Sequence, residues 1–149
     1  MKKSLFTVIY ASFLLSCSQS TNKPELHDHD TDSVAADTRL TFNNGAKWQA
    51  DSITNHNVIR LRTTANMFRV DPFPPLNSYQ ILGNDLSGDI DTLLRQCKMK
   101  GDDHEALHKW LTPIIHQSYR LKDITDTAVA RKVFDSLDQR IGLFHQYFE

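Results

Sequence analysis

The chain has 149 residues, in which 17 Lys and Arg stand against 18 Asp and Glu, so that the formal net charge is −1 with the histidines neutral. The sequence has no basic stripe that could follow a phosphate backbone, and nucleic acid is therefore excluded as an expected partner. The length suits one domain.

The first sixteen residues, MKKSLFTVIYASFLLS, predict a secretory signal peptide, residues 1–16. Its apolar run, Leu5 to Leu15, is too short to cross a bilayer as a helix. The run ends in LLSC, which resembles the lipobox of bacterial lipoproteins. This resemblance implies that Cys17 is acylated and anchors the chain to the inner or outer membrane of a bacterial cell envelope, facing the periplasm or the cell surface. The alternative is an ordinary export signal that is cut nearby.

Residues 17–38 predict the lipidated Cys17 followed by a disordered polar tether, because they hold too little apolar surface to offset the entropy cost of ordering. Within the tether, the HDHD run from His27 to Asp30 alternates imidazole and carboxylate, a pattern that can hold a divalent ion loosely. A solvated linker is the favoured interpretation of that run.

Residues 39–149 predict an all-α fold, an antiparallel up-down four-helix bundle with a short extended N-terminal segment, residues 40–48, packed on it. Asn44-Gly45 predicts a turn in that segment. Apolar residues then recur at spacings of three and four in four stretches. The predicted core stripes are Val58, Leu61, Ala65 and Phe68; Leu82, Leu86, Ile90, Leu93 and Cys97; His104, Leu107, Leu111, Ile114, Ser118 and Leu121; and Val129, Val133, Leu137, Ile141, Phe144 and Phe148.

Polar residues, glycines and prolines predict where these helices begin and end. The DPFPPLN run must separate the first two helices, because prolines cannot continue a helix. Gly83 and Gly88 either weaken the second helix or mark the close approach of another backbone. The predicted boundary residues are Asp51 or Ser52 as the first cap, Gly101 just after the second helix, Asp102 with Glu105 as a capping box for the third, and Asp126 or Thr127 as the last cap.

The run CKMKGDDHEALH places a thiol, a thioether and two imidazoles around one glycine. In an up-down bundle, the end of the second helix and the start of the third lie beside the start of the first and the end of the fourth. With Cys17 acylated, Cys97 has no intramolecular partner. The predicted metal site consists of Cys97, Met99, His104 and His108, with His56 and His145 as secondary candidates.

The residue types predict a soft metal ion. Thiolate and thioether favour Cu(I), whereas imidazole suits copper and zinc alike, so that the expected cofactor is Cu(I) or Zn. His104 and His108 are four apart on one helix and project from the same face. Alternatives stay open: Cys97 packs as a small apolar core residue, and His104 bonds to the backbone. The alternative function is a metal-free interaction module that docks an envelope partner.

The same stretch also carries a resemblance. CKMKGDDHEALH, with NNGAKW upstream and LHKWLTPI downstream, resembles small, mostly uncharacterised lipoproteins of Bacteroidota-type bacteria that share the pattern C-x-M-K-G-x-x-H-x-x-L-H. These proteins often accompany heavy-metal efflux or copper-handling systems. The resemblance implies an envelope role in metal buffering, sensing or delivery, with a metal-efflux protein or another envelope protein as partner and the lipid as the link to the membrane. Cys97, Met99, Gly101, His104 and His108 all match the pattern.

Haem b is a third, less favoured interpretation. A bundle can hold haem between Met99 and either His145 or His104, but the predicted stripes are filled with Leu, Ile and Phe. Covalent haem attachment would need a CxxCH motif, which the sequence lacks. No enzyme is expected, because the sequence has neither a Gly-rich phosphate loop nor a nucleophile elbow.

Overall fold

The structure, a computed structural model, describes residues 39–149. The predicted signal peptide, the acylated Cys17 and the tether with its HDHD run lie outside the described residues. The described part is all-α, as predicted, and its helices are α1 Ser52–Phe68, α2 Leu76–Gln96, α3 Gly101–Lys122, α4 Thr127–Gly142 and the short α5 Phe144–Tyr147. Within residues 39–149, no helix is long and apolar enough to cross a membrane.

The apolar stripes of the helices meet in one core. α2 packs against both α1 and α3, and α3 also packs against α4. Each fully buried Leu or Ile contributes about 1.5–3 kcal/mol relative to an exposed one. The predicted stripe residues that are buried in the first three helices are Val58, Leu61, Ala65, Leu82, Leu86, Ile90, Leu93, Leu107, Leu111, Ile114, Ser118 and Leu121.

Two predicted caps are confirmed. Asp51 accepts a hydrogen bond from the amide of Thr54 at 2.6 Å, and Asp126 accepts one from the amide of Val129 at 2.8 Å. Both carboxylates satisfy an amide that has no partner inside the helix.

The predicted start of α3 is wrong. Gly101 is the first residue of α3, not the residue that follows α2, and its φ of 66° is one that L side chains rarely adopt. Asp102 therefore lies inside the helix and makes no cap with Glu105; the residue at the cap position is Lys100, which has no side-chain cap bond. The carboxylate of Asp103 instead accepts a hydrogen bond from the amide of Gln49, at 2.9 Å.

The predicted stripe of α4 is wrong in its first position and incomplete. Val129 is 40% exposed, whereas Ala130 and Phe134 are buried. The ring of Phe134 packs edge-on against Phe68 with centroids 4.8 Å apart. Phe148, predicted on the same helical stripe, is buried but has an extended backbone.

Gly83 marks a close approach between two helices, which is one of the two predicted alternatives. A Cβ at this position would lie 2.8 Å from the backbone nitrogen of Lys122 and 2.8 Å from the carbonyl oxygen of Ser118. The absence of a side chain at Gly83 thus allows α2 and α3 to touch. Gly88 faces open space instead, because a Cβ there would meet nothing within 4 Å.

Residues 48–50 pair with the C-terminal residues. The amide of Trp48 donates to the carbonyl of Tyr147 at 2.8 Å, and the amide of Glu149 donates back to the carbonyl of Trp48 at 3.0 Å. The predicted Asn44-Gly45 turn is present, with positive φ at both residues. These contacts bring the segment before α1 against the chain end.

Candidate metal-binding site

The candidate site lies where α2 passes into α3. Cys97 is the C-cap of α2, and its amide donates to the carbonyl of Leu93 at 2.9 Å. Four residues later α3 begins at Gly101, so that His104 and His108 are its fourth and eighth residues. The turn that Gly101 permits therefore brings the end of one helix close to the start of the next.

Cys97, His104 and His108 form a linear chain of side chains. The sulfur of Cys97 lies 3.6 Å from Nδ1 of His104, and Nε2 of His104 lies 2.8 Å from Nε2 of His108. Cys97 and His104 are half-buried, whereas His108 is exposed. The chain thus runs from the edge of the core to the surface.

The two histidines have different positions relative to Cys97 in this row of side chains. His104 directs one ring nitrogen to the thiol and the other to His108. Because these nitrogens lie on opposite sides of the imidazole ring, His108 is on the far side of His104 from Cys97. In this arrangement a single ion cannot contact Cys97, Nδ1 of His104 and His108 together.

Thr54 of α1 and the cap residue Asp51 both contact the site, and neither of them was assigned to it from the sequence. Thr54, which is fully buried, directs its hydroxyl at the sulfur of Cys97 across 3.9 Å. The sequence offered one signal for Thr54, because it lies four residues before Val58 and extends the core stripe of α1.

Asp51 connects the N-terminus of α1 to the loop after Cys97. Burial opposes the charged form of Asp51, but hydrogen bonds from Thr54 and from the amides of Lys98 and Ile53 outweigh it and lower its pKa. The carboxylate therefore faces the amide of the residue that follows Cys97, in addition to capping α1. No local sequence pattern indicates this second role.

Met99 and His56 lie near Cys97 in different environments. Met99 is half-buried and packs, like Cys97, against the hydrophobic core. His56 is exposed and lines a shallow pocket of about 520 Å³ together with Gln96 and Lys98, the two neighbours of Cys97. Met99 thus packs on the core with part of its surface exposed, whereas His56 faces solvent.

His145 stands apart from the chain of three side chains. Its ring packs edge-on against Phe144 with centroids 5.5 Å apart, and its carbonyl accepts a hydrogen bond from Lys47 at 2.8 Å. Burial, followed by the positive charges of Arg62 and Lys47, lowers the pKa of His145. Its described contacts are therefore with basic residues and Phe144, and none is with Cys97 or His104.

The spacing of the first two donor atoms suits a shared ion. For zinc, bonds of about 2.3 Å to sulfur and about 2.0 Å to nitrogen at a tetrahedral angle place the two donors about 3.5 Å apart. The distance between Cys97 Sγ and His104 Nδ1, 3.6 Å, is close to this separation. An ion can therefore enter between these two atoms with little movement of either side chain.

Comparisons with protein-family models, curated proteins and solved structures find no match for this chain. Among residues 39–149, no group of three or more His, Cys, Asp and Glu side chains is arranged to hold a metal ion. Met99, whose donor is a thioether, is the remaining soft donor of the predicted set.

Proposed function

We propose that the protein binds a soft metal ion, with Cu(I) as the preferred ion and Zn as the second, through Cys97 and His104. The observation that carries the proposal is the 3.6 Å separation of Cys97 Sγ and His104 Nδ1 at the edge of the core. Thiolate with imidazole is a donor pair that suits both ions. Met99 supplies the third donor, since a thioether selects Cu(I) over harder ions.

His108 has a separate role in this proposal. With Nδ1 of His104 on the ion, Nε2 of His104 carries the proton and donates to Nε2 of His108, 2.8 Å away. Such a bond to the outer nitrogen fixes the tautomer and the orientation of a ligating imidazole. His108 is therefore a positioning residue, and it becomes a ligand only if the imidazole of His104 rotates.

We further propose that the helices form an antiparallel up-down bundle with residues 40–48 packed on it. Asn57 near the start of α1 bonds to Gln96 at the end of α2, at 2.9 Å, which supports opposite directions for these helices. Arg131, near the start of α4, donates to the carbonyl of Pro72 in the loop after α1, which supports opposite directions for α1 and α4. The reciprocal bonds of Trp48 with Tyr147 and Glu149 support the packing of residues 40–48 on the helices.

The biological setting completes the proposal. The lipobox-like LLSC supports a lipoprotein anchored through Cys17 to an envelope membrane, and a tether would let the helical domain move away from it. A half-buried site with few ligands is suited to buffering or delivering an ion, because a partner's ligand can approach it. The partner would be a metal-efflux protein or another envelope protein.

Anaerobic titration of the full-length protein with Cu(I), against a competing chelator, tests the proposal. We expect one equivalent to bind tighter than micromolar, with the affinity greatly weakened in Cys97→Ser and in His104→Gln. His116→Gln is the matched control, because His116 is an exposed histidine of the same helix. Met99→Leu tests the third proposed donor, and Met67→Leu is its matched control. Equal binding by all of these variants and the unchanged protein would exclude the proposed site.

A further inference from the structure

The most exposed large apolar side chains of the described part are close together in sequence. Met67 is 72% exposed, Val70 is 83% exposed and Phe73 is 87% exposed, at the end of α1 and in the loop that leads to α2. Ile81 on α2 is 55% exposed. Scattered single apolar residues are normal on a protein surface, whereas a contiguous group indicates an interaction site.

The loop that carries Phe73 is held in place. The carboxylate of Asp71 accepts a hydrogen bond from the amide of Phe73 at 2.9 Å, and Arg131 of α4 donates to the carbonyl of Pro72. Pro74 is buried. The loop thus presents an exposed aromatic ring on a restrained backbone, and a restrained anchor loses little entropy when it binds.

A groove between α1 and α2 begins beside this loop, since the loop joins the two helices. Met67 and Ile81 line its walls, and the groove has a volume of about 740 Å³. Along α2 it extends from Ser78 to Thr92, which corresponds to about 21 Å of helix. Gly88 lies in this lining and faces open space, so that a side chain of another molecule can reach the backbone there.

The groove is acidic along α2. Asp85 and Asp89 line it, and Asp89 accepts a hydrogen bond from the hydroxyl of Thr64 at 2.6 Å. The basic residue in the lining is Arg60, on α1. Within residues 39–149, neither carboxylate is in an ion pair, so that their charge is available to a bound molecule.

We propose that this α1–α2 groove binds an amphipathic helix of another protein, one with apolar side chains on one face and Lys or Arg beside them. The length of the groove matches about four turns of helix. Its apolar lining would contact the apolar face of a bound helix, and Asp85 and Asp89 would attract basic residues beside that face. Charge argues against the other occupants. A second copy would bring its Phe73 loop, with Asp71, toward Asp85 and Asp89, and an anionic membrane surface would be repelled by the same residues.

This inference does not depend on the metal site. The groove lining ends at Thr92 and includes none of Cys97, Met99, His104 and His108, and the Phe73 loop lies at the opposite end of α2 from Cys97. A failure of metal binding would therefore leave the groove proposal untouched, and the reverse also holds.

Fluorescence anisotropy with two labelled peptides tests the proposal on the full-length protein. Both peptides have about fourteen residues, matched to the groove, with Leu at spacings of three and four; one carries Lys on the flanks and the other carries Glu. We expect the Lys peptide to bind at least roughly tenfold tighter than the Glu peptide. Phe73→Ser and Gly88→Gln should each weaken the Lys peptide by roughly tenfold.

Controls separate binding at the groove from misfolding and from the other occupants. Gly142→Gln is matched to Gly88→Gln, because a Cβ at Gly142 also faces open space, and it should bind like the unchanged protein. Circular dichroism must show unchanged helix content in each variant. Equal binding of both peptides, or no binding, would overturn the proposal. So would self-association in sedimentation, or co-sedimentation with phosphatidylglycerol vesicles, that Phe73→Ser abolishes.

Discussion

Asp51 is the residue at which fold and candidate site are most directly connected. Its carboxylate caps α1 through Thr54, and the amide of Lys98, next to Cys97, contributes to the lowering of its pKa. Loss of a capping carboxylate costs about 1 kcal/mol of folding free energy. We therefore expect Asp51→Ala to lower the free energy of unfolding in urea by about that amount at neutral pH. An unchanged midpoint would show that Asp51 does not contribute as a cap.

The lowered pKa of Asp51 also predicts the direction of a pH effect. A carboxyl group whose pKa is lower in the folded state stabilises the fold above its unfolded pKa, near 3.8, and loses that contribution as the pH falls through the folded value. The difference in unfolding free energy between the original protein and Asp51→Asn should therefore shrink as the pH falls below about 4. A difference that stays constant down to that range would contradict this interpretation of Asp51.

At the scale of the helices, two glycines of α2 have opposite expected effects. A methyl group at Gly83 would collide with the backbone of α3, and we expect Gly83→Ala to destabilise the protein by about 1–3 kcal/mol. At Gly88 the methyl group meets no atom, so that Gly88→Ala should stabilise α2 by about 0.5–1 kcal/mol through its higher helix propensity. Urea unfolding of the two variants is the measurement, and effects of the same sign would contradict the packing of α2 on α3.

Pro113 leaves a gap in the hydrogen bonding of α3 that α4 fills. Because proline has no amide hydrogen, the carbonyl of Lys109, four residues earlier, receives no bond from position 113. Arg140 donates to this carbonyl and, at 3.1 Å, to the carbonyl of Trp110. In return the indole of Trp110 donates to the carbonyl of Arg140 at 2.9 Å.

This exchange predicts that Pro113 and Arg140 are energetically coupled. Arg140→Met keeps an apolar stem but removes the donor, and it should cost about 1–3 kcal/mol. In a Pro113→Ala background the new amide can serve Lys109, and we expect the cost of Arg140→Met to fall by about 1 kcal/mol. A double-mutant cycle by urea unfolding measures the difference. Additive effects would show that the guanidinium does not replace the missing amide.

The ends and buried faces of the helices can be predicted from the sequence where neighbouring residues determine them. They cannot be predicted where contacts between distant parts of the chain determine them. Asp51 and Asp126 are predictable because a cap bonds to an amide three residues away. The start of α3 is not, because the backbone turns at Gly101 and the carboxylate of Asp103 serves Gln49, far away in sequence. In α4 the apolar pattern is compatible with either Val129 or Ala130 facing the core. The structure buries Ala130 together with Phe134, whose ring contacts Phe68 of α1.

For the molecule as a whole, the all-α class and the proximity of Cys97, His104 and His108 follow from the sequence, but the order of these side chains does not. The spacing of Cys97, His104 and His108 predicts that they are close, and they are in contact. The linear order depends on which nitrogen of His104 faces the thiol, which no spacing determines. The supporting hydroxyl of Thr54 comes from another helix and is visible only once α1 and α2 are packed.

In the proposed function, Cys97 and Nδ1 of His104 hold one soft metal ion at the junction of α2 and α3. X-ray absorption at the copper edge of the Cu(I)-loaded full-length protein tests it most directly, because this method identifies the elements bound to the metal. We expect sulfur and imidazole nitrogen together in the coordination shell, with sulfur scattering reduced in Cys97→Ser and the imidazole signal reduced in His104→Gln. A shell of oxygen and nitrogen alone, identical in all three proteins, would contradict the account.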